Sequence, residues 1–283
     1  MRVEVDRGVG LEVDTWDGGV GALPFLLVHG LASNRRTWEG VAARLHELGH
    51  PVVAVDLRGH GRSDKPDVGY DFETMAGDLV RVLDAVGFST AVLAGQSTGG
   101  NLVVDLAERA PDRVAGVAGI DGGALELVRQ WPAWEQCKVA LAPPPLAGSA
   151  AASLESMLRL GHPSWSDWAV EASMANFEHF PDGTIRPWLT LDRHLRILRA
   201  LWEHRPSTVI PTLDVAVLLV MADTGDAWAA QKRTMAAELL AASPRRVRVE
   251  WFSPGDHDLH VQYPVELADL LHSVFPGRPA SVG

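Results

Sequence analysis

Four short runs constrain this chain more than anything else in it: PFLLV at 24–28, PVVAV at 51–55, TAVLA at 90–94 and VAGVAGI at 114–120. Each is apolar at consecutive positions, so a strand made from it must bury both of its faces; a sheet with one face in water would alternate instead. Such strands belong to a parallel sheet covered on both sides. Between them lie stretches of helical period: 38–48 (WEGVAARLHEL) closed by Gly49, 72–86 (FETMAGDLVRVLDAV) closed by Gly87, and 100–109 (GNLVVDLAER) stopped before Pro111. The alternation predicts βαβ units with right-handed crossovers. The opening segment, with Val3 and Val5, then Leu11, Val13 and Thr15, alternates as strands do.

The rhythm breaks after Gly123. Residues 124–208 show no clear buried strand but hold many prolines and six of the ten tryptophans: Trp131, Trp134, Trp165, Trp168, Trp188 and Trp202. This stretch reads as a mostly helical insertion. The strand rhythm resumes with VAVLLVMA (215–222), a helix over 227–242, RVRVEWF (246–252) and a last helix after Pro264. The expected organisation is an α/β core made of 1–123 and 209–283, interrupted by a helical cap at 124–208, and 283 residues are an ordinary length for one such domain.

The charge balance narrows the partners. A net charge of −11, with its basic residues scattered, lacks the cationic footprint of a nucleic-acid binder. No run of eighteen apolar residues is present, so no membrane span is expected. The N-terminal stretch has no apolar core of a secretory signal, and the single cysteine, Cys137, forms no internal disulfide and reads as a small apolar filler; together they suggest a cytoplasmic protein. The oligomeric state is left open, a homodimer included.

Against this frame Gly95-Gln96-Ser97-Thr98-Gly99 stands out. It is G-x-S-x-G placed after a strand and before a helix, the context in which glycines permit a turn tight enough to present one hydroxyl above a helix N-terminus. There the helix dipole favours developing negative charge. A serine needs a base. Of eleven histidines, His257 lies on the loop leaving the strand RVRVEWF, where it reaches back over the carboxyl edge of the sheet. His260, near the start of the final helix, is the competitor and is less well placed.

LLVHG (26–30), DLRGHGRSDKP (56–66), GQSTGG (95–100) and HDLHVQYP (257–264) resemble, in order and spacing, the α/β-hydrolase superfamily. The resemblance implies a mostly parallel eight-stranded sheet with helices on both faces, a serine nucleophile and a histidine base at His257. It also implies an oxyanion hole made by the backbone N–H groups of Leu31 and Thr98. His29, Asp56 and Asp64 are read as structural.

The acid that orients the base has competing positions. Most relatives carry it after the strand that here reads VAVLLVMA, as Gly-x-x-Asp; this chain has Ala222 at the glycine and Gly225 at the acid, with Asp223 and Asp226 on either side. Asp121, in GIDGG beyond the next strand after Ser97, is the other candidate. One subgroup of haloalkane dehalogenases and the fungal zearalenone lactonases are similar in placing their acid there. Asp121 is preferred over Asp226, with Asp223 third; all keep the chain order Ser, acid, His.

The cap tryptophans, Trp131, Trp134 and Trp188 first among them, are expected to line an apolar pocket over the carboxyl edge. His162, His179, His194 and His204 make no metal-ligand pattern and are read as packing or solvated residues. The expected activity is hydrolysis of an apolar ester or lactone through an acyl-enzyme, with no metal or organic cofactor. Carbon–carbon bond hydrolases, cofactor-free haloperoxidases and a ligand receptor on the same scaffold are the alternatives.

Overall fold

The structure, a computed structural model, describes residues 1–19, 21–225 and 227–277. Before the 124–208 segment come strands β1 (Arg2–Asp6), β2 (Val9–Trp16), β3 (Phe25–Val28), β4 (Val52–Val55), β5 (Ala91–Gln96) and β6 (Val114–Ile120). The segment itself holds β7 (Ser149–Ala150), β8 (Phe177–His179) and β9 (Thr184–Pro187); β10 (Val217–Ala222) and β11 (Val247–Phe252) follow it. Among the described residues, eight strands form one sheet in the order β1-β2-β4-β3-β5-β6-β10-β11. The pairs β1–β2 and β2–β4 are antiparallel, and every other neighbouring pair is parallel.

The continuous apolar runs have the cause their sequence implied. Leu26, Val28 and Leu93 face a cluster shared with α2 (Phe72–Ala85) and α3 (Thr98–Arg109), through Leu79 and Leu102. Their neighbours Phe25, Leu27, Val92 and Ala94 face the opposite cluster, which holds Leu45 of α1 (Glu39–Glu47) and Leu271 of α11 (Pro264–Val274). Each fully buried Leu- or Val-sized side chain contributes about 1.5–3 kcal/mol, so one strand gains on both faces at once.

Helix α3 starts at Thr98, two residues earlier than its apolar period suggested, because the chain turns into helix directly after Ser97. The segment 124–208 contains α4 (Trp134–Ala140), α5 (Ala151–Gly161), α6 (Asp167–Met174), α7 (Leu191–Glu203) and α8 (Pro206–Val209). It also contains a small antiparallel sheet, β7-β9-β8, which the sequence did not reveal. Strands of two to four residues with mostly half-buried or exposed positions carry no readable alternation. After the segment come α9 (Ala227–Ala242) and α10 (Leu259–Gln262). Among the described residues no helix is long and apolar enough to cross a membrane.

Candidate active site

Strand register brings the chemistry together. Gln96 of β5 and Val220 of β10 both pair with Ile120 of β6, so the three strands end nearly level and the residues just past them emerge side by side. Ser97 is one of these. It sits at φ 52°, ψ −122°, outside the regions a side-chain-bearing residue prefers, and its N–H is tied to the Ile120 carbonyl at 3.0 Å. Such a conformation costs about 1–3 kcal/mol and persists because the surroundings leave no alternative. A Cβ on Gly95 would lie 2.2 Å from the Gly99 carbonyl oxygen, and one on Gly122 would lie 2.2 Å from that of Ser97. The glycines of the motif are therefore steric requirements of the elbow.

Asp121, the first residue after β6, is also held at positive φ (40°) and its side chain is 2% exposed. Its Oδ2 accepts from His257 Nδ1 at 2.7 Å, while Oδ1 takes the Ala222 N–H at 2.9 Å and Lys232 Nζ at 2.8 Å. The loop that carries His257 is fixed from the other side, where Gln96 Nε2 donates to the His257 carbonyl at 3.0 Å. Burial opposes ionisation of Asp121, but the bond from His257, that ring's charge and Lys232 outweigh it and hold the carboxyl below its usual range. For His257, the loss of water around the ring is outweighed by the Asp121 bond and by the charges of Asp258 and Asp121. Its pKa therefore lies above the ordinary 6.5, while Lys232 pulls the other way.

Leu31 and Thr98 line the same cavity as Ser97 and His257. Among the described residues neither backbone N–H has a hydrogen-bond acceptor, and that of Thr98 opens α3, where the first N–H groups of a helix have no partner within it. Two buried histidines shape the Leu31 turn. His29 Nδ1 donates to the Gly30 carbonyl at 2.7 Å and its Nε2 accepts the Leu57 N–H at 3.0 Å; His60 Nε2 accepts the Ala32 N–H at 3.2 Å. Asp56 takes the N–H groups of Arg35 and Arg62 at 2.8 Å each, and Asp64 takes that of Gly10. These are structural contacts.

The cavity measures about 450 Å³ and is walled by the core and by the 124–208 segment, through Leu125, Leu127, Trp131, Leu198 and Leu201. Of the three tryptophans expected there, only Trp131 lines it. Trp134 instead packs on Trp202, 6.1 Å between ring centroids, beneath the Arg199 guanidinium, and borders an outer groove. Trp188 lies under Arg62 and Lys65 and lines a neighbouring apolar cavity of about 470 Å³ with Pro143–Pro145. Trp134 departs from the sequence expectation, its ring covered by a cation, whereas Trp188 lines an apolar cavity but not the one that holds Ser97.

Asp226 lies outside the described residues. Asp223 is engaged elsewhere, in an ion pair with Arg233 at 2.5 Å. His260 is fully buried against Trp38, 4.7 Å between ring centroids, and burial drives its pKa down to about 3. Of the histidines in the 124–208 segment, His194 and His204 are buried, and His162 stacks on Trp165, both rings donating to Asp256 Oδ2 at 3.1 Å.

Two residues of α9 that also line the cavity were missed, Lys232 and Trp228. The signal for Lys232 was present: it falls in line with Trp228, Met235, Ala236 and Leu239, on the apolar stripe of a helix, where a lysine needs a buried partner.

The family model for the alpha/beta hydrolase fold matches residues 24–148. The 2-(acetamidomethylene)succinate hydrolase of Mesorhizobium japonicum is 35% identical over 120 residues, 42% of this chain and 41% of that protein. The non-heme chloroperoxidase of Streptomyces lividans is 36% identical over 114 residues, 40% of this chain and 41% of that one. The matched stretch thus spans about two-fifths of the length of these curated relatives. The crystal structure of E-2-(acetamidomethylene)succinate hydrolase superimposes over 98% of both chains with a TM-score of 0.75 at 23% identity, a likeness of fold. With residues 24–148 matched by the family model and the whole chain following the same architecture, this protein has the α/β-hydrolase fold.

Proposed function

We propose that the chain is a serine hydrolase that cleaves a carboxylic ester or lactone. His257 takes the proton of Ser97, whose oxygen attacks the carbonyl carbon. The N–H groups of Leu31 and Thr98 receive the oxyanion, and the leaving alcohol takes the proton from His257. Water, deprotonated by the same ring, then releases the acid from the acyl-enzyme. Serine, imidazole and backbone dipoles supply every step, so the chemistry needs no metal or organic cofactor. The observation that carries the reading is the 2.7 Å bond from His257 to a buried carboxylate, with the ring facing the same cavity as a strained serine. The apolar walls suit a bulky hydrocarbon or aromatic group, and residues 124–208 act as the cap over it. Recruitment as a cofactor-free haloperoxidase is the second reading, favoured by the chloroperoxidase relative; ester turnover without peroxide separates the two.

The test is covalent trapping. Diethyl p-nitrophenyl phosphate should transfer its diethylphosphoryl group to the Ser97 oxygen, releasing p-nitrophenolate, and abolish turnover of p-nitrophenyl butyrate in step. Peptide mass spectrometry locates the adduct, and His257→Gln should suppress labelling. An adduct on another residue, or turnover that survives full labelling, sinks the reading.

The pH profile gives an independent check. His257 must be neutral to act as base, and its pKa lies above 6.5, so kcat/KM should fall as pH drops through a midpoint above that value. Stability runs the other way. A group whose folded pKa is raised contributes stability that is complete below its unfolded pKa and lost as pH climbs through the folded one. Activity should therefore fail on mild acidification before the fold does. An acidic limb centred well below pH 6 would contradict the assignment of His257.

A further inference from the structure

We propose that Lys232 is a positioning residue for the acid of this site: its ammonium and the Ala222 N–H occupy one oxygen of Asp121, and among the described residues the other is left to His257 alone. This rests on the reading of Asp121 and His257 as acid and base. The geometry is specific. Lys232 is 1% exposed, lies 2.8 Å from Asp121 Oδ1, and is anchored by a second bond from Nζ to the Ala222 carbonyl at 2.7 Å. Ala222 also donates its N–H to Asp121 Oδ1 at 2.9 Å. One residue at the end of β10 thus holds both the carboxylate and the lysine that pairs with it. The carboxylate cannot rotate to offer His257 its other oxygen without giving up two donors in a buried place, where each lost bond is costly.

The same contact sets the strength of the base. Asp121 stabilises the His257 imidazolium, and an ammonium on the far oxygen offsets part of that negative charge. Among the described residues, the charged and titratable groups facing the pair are few. Asp258 lies on the His257 loop, Asp256 beyond it is paired with His162, Lys232 comes from α9, and neutral His260 comes from α10. Lys232 alone is a cation directly on the acid, so it lowers the pH at which the ring becomes a free base.

The readout is the titration of His257 itself, followed by ¹H–¹⁵N NMR of ¹⁵N-histidine-labelled protein and assigned with His257→Gln. It needs no substrate. Lys232→Gln keeps a donor and removes the charge; Lys232→Met removes both. In each the His257 midpoint should rise by about half a pH unit or more, on the scale that close charges move pKa values, and Lys232→Arg should bring it back. A purely structural lysine would lower stability in all variants and leave the midpoint in place. Midpoints within about 0.2 unit of the wild type in folded Lys232→Gln and Lys232→Met would overturn the proposal. The outcome is separable from that of the functional reading: if Ser97 is not the nucleophile, the trapping experiment fails while the NMR shift still stands or falls by itself.

Discussion

Ser97→Ala is expected to lower kcat on p-nitrophenyl esters by about 10⁴- to 10⁶-fold while leaving KM within a few-fold of wild type. Each factor of ten is about 1.4 kcal/mol of transition-state stabilisation, so the loss amounts to about 5–8 kcal/mol. It should appear in kcat because the hydroxyl forms its bond only on the way to the tetrahedral intermediate, whereas the apolar walls hold the ground state equally well in both proteins. The substitution is also a clean one. It removes a single atom that faces the cavity and makes no hydrogen bond among the described residues, and it keeps a Cβ at the same strained φ of 52°. The tie from the residue 97 N–H to the Ile120 carbonyl belongs to the backbone and survives. Thermal and urea midpoints should therefore stay close to wild type, and a residual rate above that of water should remain from the Leu31 and Thr98 N–H groups. Equal turnover in the two proteins would remove Ser97 from the chemistry altogether.

The features legible in the sequence were those with a physical period or a steric rule behind them. Strands buried on both faces had to be written as unbroken apolar runs, so β3 to β6 were visible at once. The elbow was legible because Gly95 and Gly99 are forced by contacts closer than any Cβ tolerates. The acid was legible only as a preference for Asp121, since Asp121, Asp223 and Asp226 all follow strands in the same chain order. What distinguishes Asp121 is register: the pairing of β5, β6 and β10 sets it beside Ser97 and against the loop bearing His257, and no local pattern encodes that. The tryptophans misled for a related reason. An aromatic in the 124–208 segment has two faces, and for Trp134 a nearby arginine took one of them, whereas Trp188 lines an apolar cavity other than the one that holds Ser97. The one lysine on the apolar stripe of α9 marked a buried partner without saying which, because that partner, Asp121, lies 111 residues away in sequence.

Asp121→Asn should be nearly as damaging as losing the nucleophile, with kcat down by about 10⁴-fold near neutral pH. The reason lies in which way the new amide must point. Oδ1 of Asp121 receives two donors, the Ala222 N–H and the Lys232 ammonium, in a place sealed from water. An asparagine there will keep its carbonyl oxygen toward those two donors, because turning its NH₂ group onto them would set donor against donor and against a cation. The NH₂ group then faces His257, whose Nδ1 must accept a bond rather than donate one. The ring's proton is driven to Nε2, the nitrogen that should receive the proton of Ser97, and the base is held in the wrong tautomer. Stability should fall as well, by about 3–5 kcal/mol, since Lys232 is left buried without its counter-charge. Circular dichroism at the assay temperature must therefore accompany the kinetics. Asp223→Asn is the matched control: its carboxylate pairs with Arg233 at the surface, and its loss should alter kcat by no more than about two-fold. Should Asp223→Asn prove the more damaging of the two in folded protein, the acid lies on the β10 loop after all, and the bond from Asp121 to His257 serves the fold rather than the reaction.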